Sequence, residues 1–316
     1  CDEGVIENSL IERLSHRYVV LAEQLSCDTP SPALDTLFAL MDSSGDTAIY
    51  RPDLVVYCGG NTISKRLRLF LRKQEQADVL LVNNDGALHD PTTHATAVVR
   101  GDTAAVLAAL ADDCSGAEVS SFLDDWRRLL DETRLTLDNT VPQRLDERAV
   151  QVLERLMPLG SNVFYANSSS VRWAARHARH YVCCNRGVNG IEGSLSTAVG
   201  ASLVTDGNVY CVIGDLSFFY DQNALWNNHL GGNMRVLLLN NGGGLIFTSL
   251  PGLAASPAAN SHVMATHRTT AEGACAQHGV VYRNITCTDH LDEAIAWLTL
   301  SQSERPMLLE VLASIE

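Results

Sequence analysis

The sequence predicts an α/β chain made of two doubly wound parallel-sheet domains, on three observations. Apolar runs alternate with helical patterns along all 316 residues, as repeated βαβ units require. The runs are continuous rather than alternating, as in strands buried on both faces. Several of them stop abruptly in small polar residues, and the carboxyl edge of a parallel sheet is where α/β folds bind ligands.

The elements follow in order. In the first part, strands are expected at YVVLA (18–22), DLVVYC (53–58), DVLLV (78–82) and TAVVR (96–100). Helices are expected at about 5–15, 33–41, 63–73 and 103–112. Residues 117–157 carry charge and leucine at helical spacing, broken by Asn139-Thr140-Val141-Pro142, and read as two connecting helices. The second part offers strands at VFYA (163–166), YVCC (181–184), VYCVI (209–213), VLLL (236–239), VVYRNI (280–285) and MLLEVL (307–312). This divides the chain into a first domain over 1–116, a connector over 117–157 and a second domain over 158–316.

Composition limits the function. With 46% hydrophobic and 19% charged residues the chain can bury a large core. A net charge of −14 with only two lysines, Lys65 and Lys73, argues against a nucleic-acid surface. No apolar run approaches the roughly 20 residues of a membrane span. Nine cysteines without regular spacing fit reduced thiols in a cytoplasmic protein, and adjacent Cys183 and Cys184 read as packing residues. His177 and His180 read as a solvated basic helix face, and His89-Asp90-Pro91 as a turn. Glu192 and Glu272 are the two carboxylates of the second part considered as acid/base groups.

The stretch GDLSFFYDQNALWNNHLGGNMRVLLLNNGGG, 214–244, carries the chemistry. One strand ends in Gly214-Asp215, a crossover helix is expected over Phe218–Leu230 with Gly231-Gly232 as its stop, and the next strand ends in Asn240-Asn241. A right-handed crossover to a parallel neighbour brings Asp215 close to Asn241. A carboxylate, an amide oxygen and a glycine carbonyl form a hard-oxygen set suited to Mg²⁺ with a phosphate. The backbone N–H groups of Leu216 and Ser217 open the helix and suit that phosphate. Gly187, Gly190 and Gly193 are spaced GxxGxxG, which is a poor dinucleotide fingerprint.

A GD after one strand and NN 26 residues later resembles the diphosphate motif of thiamine-diphosphate enzymes. GDLSFFYDQNAL, NNGGGLIFTSLPG, NSSSVRW, NRGVNGIEGSLSTAVGA and RPDLVVYCGGNTISKRLRLFL are narrower. They resemble the MenD family of the menaquinone pathway, the 2-succinyl-5-enolpyruvyl-6-hydroxy-3-cyclohexene-1-carboxylate synthases. The resemblance implies a central domain followed by a diphosphate-binding domain. It implies thiamine diphosphate with Mg²⁺ or Mn²⁺, the metal held by Asp215, Asn241 and the Gly243 carbonyl. Gly214, Leu216 and Ser217 would meet the cofactor, and Ile191 or Ile246 would support it. Ser168, Arg172, Arg186, Lys65 and Arg66 would face the substrates, with Phe247 and Leu250 on the apolar side. The implied reaction decarboxylates 2-oxoglutarate and adds the resulting carbanion to isochorismate. Arginine forks suit such dicarboxylates.

The resemblance also implies a domain ahead of this chain that carries an activating glutamate, and a central domain whose opening strand is missing. The fragment is therefore expected to be inactive alone. The whole protein is expected to be a homodimer or homotetramer. Glu192 stands where aspartate is expected in many relatives. The competing readings are another thiamine-diphosphate 2-oxoacid lyase or synthase, a non-catalytic module of the same fold, and, last, a dinucleotide dehydrogenase.

Overall fold

The computed structural model describes residues 6–60, 62–112, 121–250, 252–253 and 255–313. The chain divides into two compact units, Cys1–Thr140 with Ala178–Tyr181, and Val141–His177 with Val182–Glu316. The expected 116/117 boundary lies outside the described residues.

The first unit contains α1 (Asn8–Ser15), α2 (Leu34–Ser43), β1 (Leu54–Cys58), α3 (Lys65–Arg72), β2 (Asp78–Asn83), β3 (Ala97–Arg100), α4 (Thr103–Asp112) and α5 (Ser121–Asn139). Its three strands pair in the order β1-β2-β3, all parallel. The run at 18–22 is not a strand. Its backbone is taken by a local loop, where Ser31 donates to the Ala22 and Val20 carbonyls and accepts from the Ala22 N–H. On α5, Leu123, Trp126, Leu129 and Thr133 form one buried stripe at helical spacing. Trp126 meets the rings of Phe38, Tyr50, Phe70 and Phe122 edge-on, which fixes α5 to α2 and α3.

The second unit contains α6 (Leu145–Leu156), β4 (Asn162–Tyr165), α7 (Ser169–His177), α8 (Ser194–Ser202), β5 (Val209–Gly214), α9 (Asp215–Asp221), β6 (Met234–Asn240), α10 (Glu272–His278), β7 (Val281–Ile285), α11 (Leu291–Leu300) and β8 (Met307–Leu312). The order β4-β5-β6-β8-β7 is parallel throughout. Burial explains the sequence pattern. The inner strands β5, β6 and β8 are buried almost residue for residue, whereas β4 and β7 at the edges are only partly covered. Helices cover both faces, so each unit is a parallel sheet wrapped by helices, as the sequence predicts.

Three expectations change here. YVCC contributes only one bridge, Phe164 to Cys183, beside β4. The crossover helix is shorter than 218–230: it begins at Asp215 and stops at Asp221 (φ −121°, ψ 9°), and a 3₁₀ turn follows over Gln222–Trp226. The Asp221 carboxylate is drawn to the N–H and hydroxyl of Ser196 in the first turn of α8, at 2.8 and 2.5 Å. Gly232 therefore does not stop that helix. A Cβ there would lie 1.6 Å from the Ser303 carbonyl oxygen, so the chains can pass only with glycine.

Candidate functional site: the carboxyl edge of the second sheet

Parallel pairing places the ends of β4, β5 and β6 on one edge of the sheet. The register sets Gly214 opposite Leu239, so Asp215 and Asn240 leave the sheet side by side and Asn241 follows one residue later. The two asparagines have different jobs. Asn240 is spent within the fold. Its amide donates to the Thr269 carbonyl (2.9 Å) and the Glu310 carboxylate (2.7 Å), and its Oδ1 accepts from the Gly242 N–H (3.1 Å). Asn241 is 8% exposed, and its Oδ1 accepts no hydrogen bond among the described residues.

Asp215 is 3% exposed. Its Oδ1 accepts from the Leu216 N–H at 2.7 Å, and its Oδ2 accepts from the Gly243 N–H at 2.9 Å. His267 Nε2 lies 3.3 Å from Oδ2, without the alignment of a hydrogen bond. Burial pushes the Asp215 carboxyl above the usual carboxylate range, against the opposing pull of the Leu216, Gly243 and Gly242 amides and of His267. A buried, acceptor-only carboxylate beside an amide oxygen with no donor is an arrangement that favours a cation. Such orphaned polar atoms call for a partner, and the donor set is the hard-oxygen type that Mg²⁺ or Mn²⁺ takes. The residues fit a divalent metal. Among the described residues no three His, Cys, Asp or Glu side chains converge.

The loop that presents Gly243 is tightly held. Gly242 and Gly243 have φ of +77° and +150°. A Cβ on Gly243 would meet the Met264 carbonyl oxygen at 2.7 Å, and Gly244 N–H donates to that same oxygen. The Gly243 carbonyl accepts from the Leu245 N–H at 3.0 Å, which leaves one of its two lone-pair directions. Leu216 N–H, expected to face a phosphate, is held by its own neighbour Asp215.

A second bonded group adjoins this one. Asn167, at the end of β4, is 6% exposed. Its amide donates to the Asn185 and Gly190 carbonyls at 2.8 and 2.7 Å, and its Oδ1 accepts from Arg186 Nη1 at 3.0 Å. The Ser217 hydroxyl donates to the Ile191 carbonyl. Arg186 is thus tied to the end of β4, and Ile191 to the first turn of α9, the helix that Asp215 begins. Ser168 takes φ +70°, a left-handed conformation costly for serine, at the turn between β4 and α7. Arg172 is exposed on α7, and Ile246, Phe247 and Leu250 lie on or beside the 3₁₀ turn Leu245–Ser249, with Phe247 and Leu250 exposed.

Lys65 and Arg66 belong to the first unit and begin α3. Ser64 caps the helix by accepting from Leu67 N–H, and the buried Glu23 accepts the Ile63 and Ser64 N–H groups. Arg66 pairs with Asp42 at 2.8 Å, and both Lys65 and Arg66 are exposed.

Two minor readings are corrected. His177 is not solvated; it is buried against Glu147 (3.1 Å), which also meets Arg176. Glu192 is an exposed loop residue whose carboxylate accepts the Ile191 N–H, so it has no acid/base geometry. The seven described cysteines are free, and burial raises Cys184 to about 11, which keeps its thiol protonated. The residues that sequence reasoning missed are Asp221, His267 and Glu310. A glutamate inside MLLEVL was the available signal for the last.

Residues 166–311 match the model of the thiamine pyrophosphate enzyme C-terminal TPP binding domain. Three relatives are each named 2-succinyl-5-enolpyruvyl-6-hydroxy-3-cyclohexene-1-carboxylate synthase. The one from Bacteroides fragilis is 37% identical over 83% of this chain and 47% of its own length. The one from Desulfotalea psychrophila is 35% identical over 98% of this chain and 58% of its own. The one from Flavobacterium psychrophilum is 29% identical over the same shares. The chain spans about half the length of the curated relatives it matches. The matched domain contains every ligand-type residue of the sheet edge described above, and the chain belongs with the thiamine pyrophosphate enzymes, corresponding in sequence to the C-terminal portion of the 2-succinyl-5-enolpyruvyl-6-hydroxy-3-cyclohexene-1-carboxylate synthases.

Proposed function

We propose that this chain is the metal- and diphosphate-binding portion of an enzyme that decarboxylates 2-oxoglutarate and joins the remaining four-carbon unit to isochorismate. The supporting observation is the pair formed by Asp215 and Asn241, a desolvated carboxylate at the end of one strand and, at the end of its parallel neighbour, a buried amide oxygen that has no donor among the described residues. The succinyl group in the relatives' name is what 2-oxoglutarate leaves after losing CO₂.

Each residue's part follows from its chemistry. Asp215, Asn241 and the Gly243 carbonyl would hold Mg²⁺ or Mn²⁺ through hard oxygens. Gly214, Leu216 and Ser217 would lie against the diphosphate, and Ile191 and Ile246 against the cofactor's apolar parts. Thiamine diphosphate, when bound, supplies the electron sink for the carbanion that decarboxylation leaves. Arg186, aimed by Asn167, and Arg172 would orient substrate carboxylates. Ser168, Lys65 and Arg66 would complete substrate binding, while Phe247 and Leu250 would keep water from the reacting carbons. Full turnover would require an activating glutamate from outside this chain, so the chain alone is expected not to turn over and to bind Mg²⁺ and thiamine diphosphate more weakly than the longer protein. The reading carries with it a homodimer or homotetramer and a cytoplasmic setting. Among the described residues no helix is long and apolar enough to cross a membrane.

The test is the loss of isochorismate absorbance with Mg²⁺, thiamine diphosphate and 2-oxoglutarate, run on this chain and on the chain with its upstream coding sequence. Turnover confined to the longer protein supports the reading. No turnover in either, with Asp215 and Asn241 unchanged, removes the substrate assignment.

A further inference from the structure

Glu310 lies in the middle of β8 and is fully buried. A carboxylate at that depth destabilises the fold unless it is bonded, and this one is. Its Oε1 accepts from Asn240 Nδ2 at 2.7 Å, its Oε2 accepts from the Tyr282 hydroxyl at 2.5 Å, and both oxygens face the Ala271 N–H at 3.1–3.2 Å. It therefore ties the end of β6, the neighbouring strand β7 and the residue before α10 to one point.

An ionised carboxylate only accepts hydrogen bonds. Asn240 must present its NH₂ to it and cannot be flipped. The second amide proton goes to the Thr269 carbonyl. Oδ1 is then left with one direction, toward the Gly242 N–H. That bond closes the turn at which Asn241 and Gly243 stand. We propose that Glu310 is a positioning residue for the divalent-metal site. By dictating the amide orientation of Asn240 it sets the turn that aims Asn241 Oδ1 and the Gly243 carbonyl. The inference rests on the metal reading of Asp215, Asn241 and Gly243.

A double-mutant cycle tests it, read by Mn²⁺ affinity in electron paramagnetic resonance titrations with thiamine diphosphate present. Glu310→Gln and Asn240→Asp each break the donor–acceptor match, and each is expected to weaken Mn²⁺ binding about 10-fold or more. The double variant restores the pairing of positions 240 and 310 with its polarity reversed, and the carboxylate introduced on β6 would still accept from Gly242 N–H, but the Thr269 carbonyl loses its donor. Its loss of affinity is therefore expected to be partial, smaller than the product of the two single losses. Tyr282→Phe removes a bond to Glu310 without touching Asn240. It is expected to lower the melting temperature and leave Mn²⁺ affinity within about 2-fold. Unchanged Mn²⁺ affinity in Glu310→Gln, or additive losses in the double variant, overturns the proposal.

One measurement does not depend on the metal or on the variants folding. In ¹⁵N spectra of the metal-free chain, the two Asn240 side-chain NH₂ protons should exchange slowly with solvent, because both are donated. Exchange at the rate of an exposed amide overturns the proposal. Failure of the unmodified chain to bind Mn²⁺ counts against the metal reading instead, and the amide exchange then decides the role of Glu310.

Discussion

Both units are parallel sheets whose strands end in polar residues, and their strand ends behave differently. In the first unit, β2 ends in Asn83. That side chain closes its own turn, donating to the Ala87 carbonyl and accepting from Gly86 N–H. In the loop beyond it, Asp90 accepts from the Thr92 N–H and hydroxyl and the Ala95 N–H, all within 2.8 Å. Both side chains find their donors within a few residues. In the second unit, Asn240 is also satisfied, by Gly242 nearby and by Thr269 and Glu310 far along the chain, yet Asn241 Oδ1 has no donor among the described residues, and Asp215 sits in a site that burial makes unfavourable for its charge. A polar strand end is thus ambiguous by itself. What marks a binding edge is acceptor capacity left over after the turn has satisfied itself.

The largest effect should come from removing that leftover capacity. Asp215→Ala is expected to weaken Mn²⁺ binding by about 100-fold or more, measured by titration with thiamine diphosphate present. Asp90→Ala, its counterpart in the first unit, should leave that affinity unchanged and lower the melting temperature instead. Equal affinity in Asp215→Ala would remove the distinction between the two loops.

Next comes the backbone. Gly243→Ala must fit a Cβ 2.7 Å from the Met264 carbonyl at φ +150°. A cost of about 1–3 kcal/mol in unfolding free energy is expected, with weakened Mn²⁺ binding because the loop must move. The asparagine pair then separates fold from site. Asn240→Ala takes one of three donors from the buried Glu310 and should cost about 1–3 kcal/mol in chemical denaturation. Asn241→Ala should cost little stability and about 10-fold or more in Mn²⁺ affinity. Similar stability losses in the two variants would mean that Asn241 is also a structural residue.

Much of this was legible in the sequence. The continuous runs VYCVI, VLLL and MLLEVL report strands covered on both faces, and their parallel neighbours fix a common edge, so Asp215 and Asn241 could be paired from their spacing. The failures have physical causes. YVVLA has strand composition, but Ser31 supplies the bonds that a neighbouring strand would have made. The helix after Asp215 is shorter than its local sequence predicts because nothing local shows that Asp221 is drawn to Ser196, 25 residues earlier. His177 read as solvated because its partner Glu147 lies on another helix. Spacing could not assign separate duties to Asn240 and Asn241 either. That depends on Glu310, whose approach is set by the order of β6, β8 and β7.

The two loops should also differ in the sign of their response to pH. Burial acts against the charge of Asp90, but the Thr92 hydroxyl and the loop amides outweigh it and hold its carboxyl below the ordinary 3.8. A depressed folded value adds stability above pH 3.8, and that stability is lost as pH falls through the folded value. Burial dominates at Asp215 and holds its carboxyl above 3.8. A raised folded value favours the fold while the group is protonated, so that contribution is lost as pH rises through the folded value. Melting temperatures of the metal-free chain, Asp90→Asn and Asp215→Asn across this range should therefore diverge in opposite senses. Asp90→Asn should melt below the unmodified chain near neutrality, and the gap should close in acid. Asp215→Asn should gain on the unmodified chain as pH rises above 3.8, with the gain abolished by saturating Mg²⁺ and thiamine diphosphate, which only the unmodified chain binds well. Parallel curves for the two variants would show that the loops carry their carboxylates in equivalent environments. The contrast between a self-satisfied turn and a site awaiting a cation would then fall.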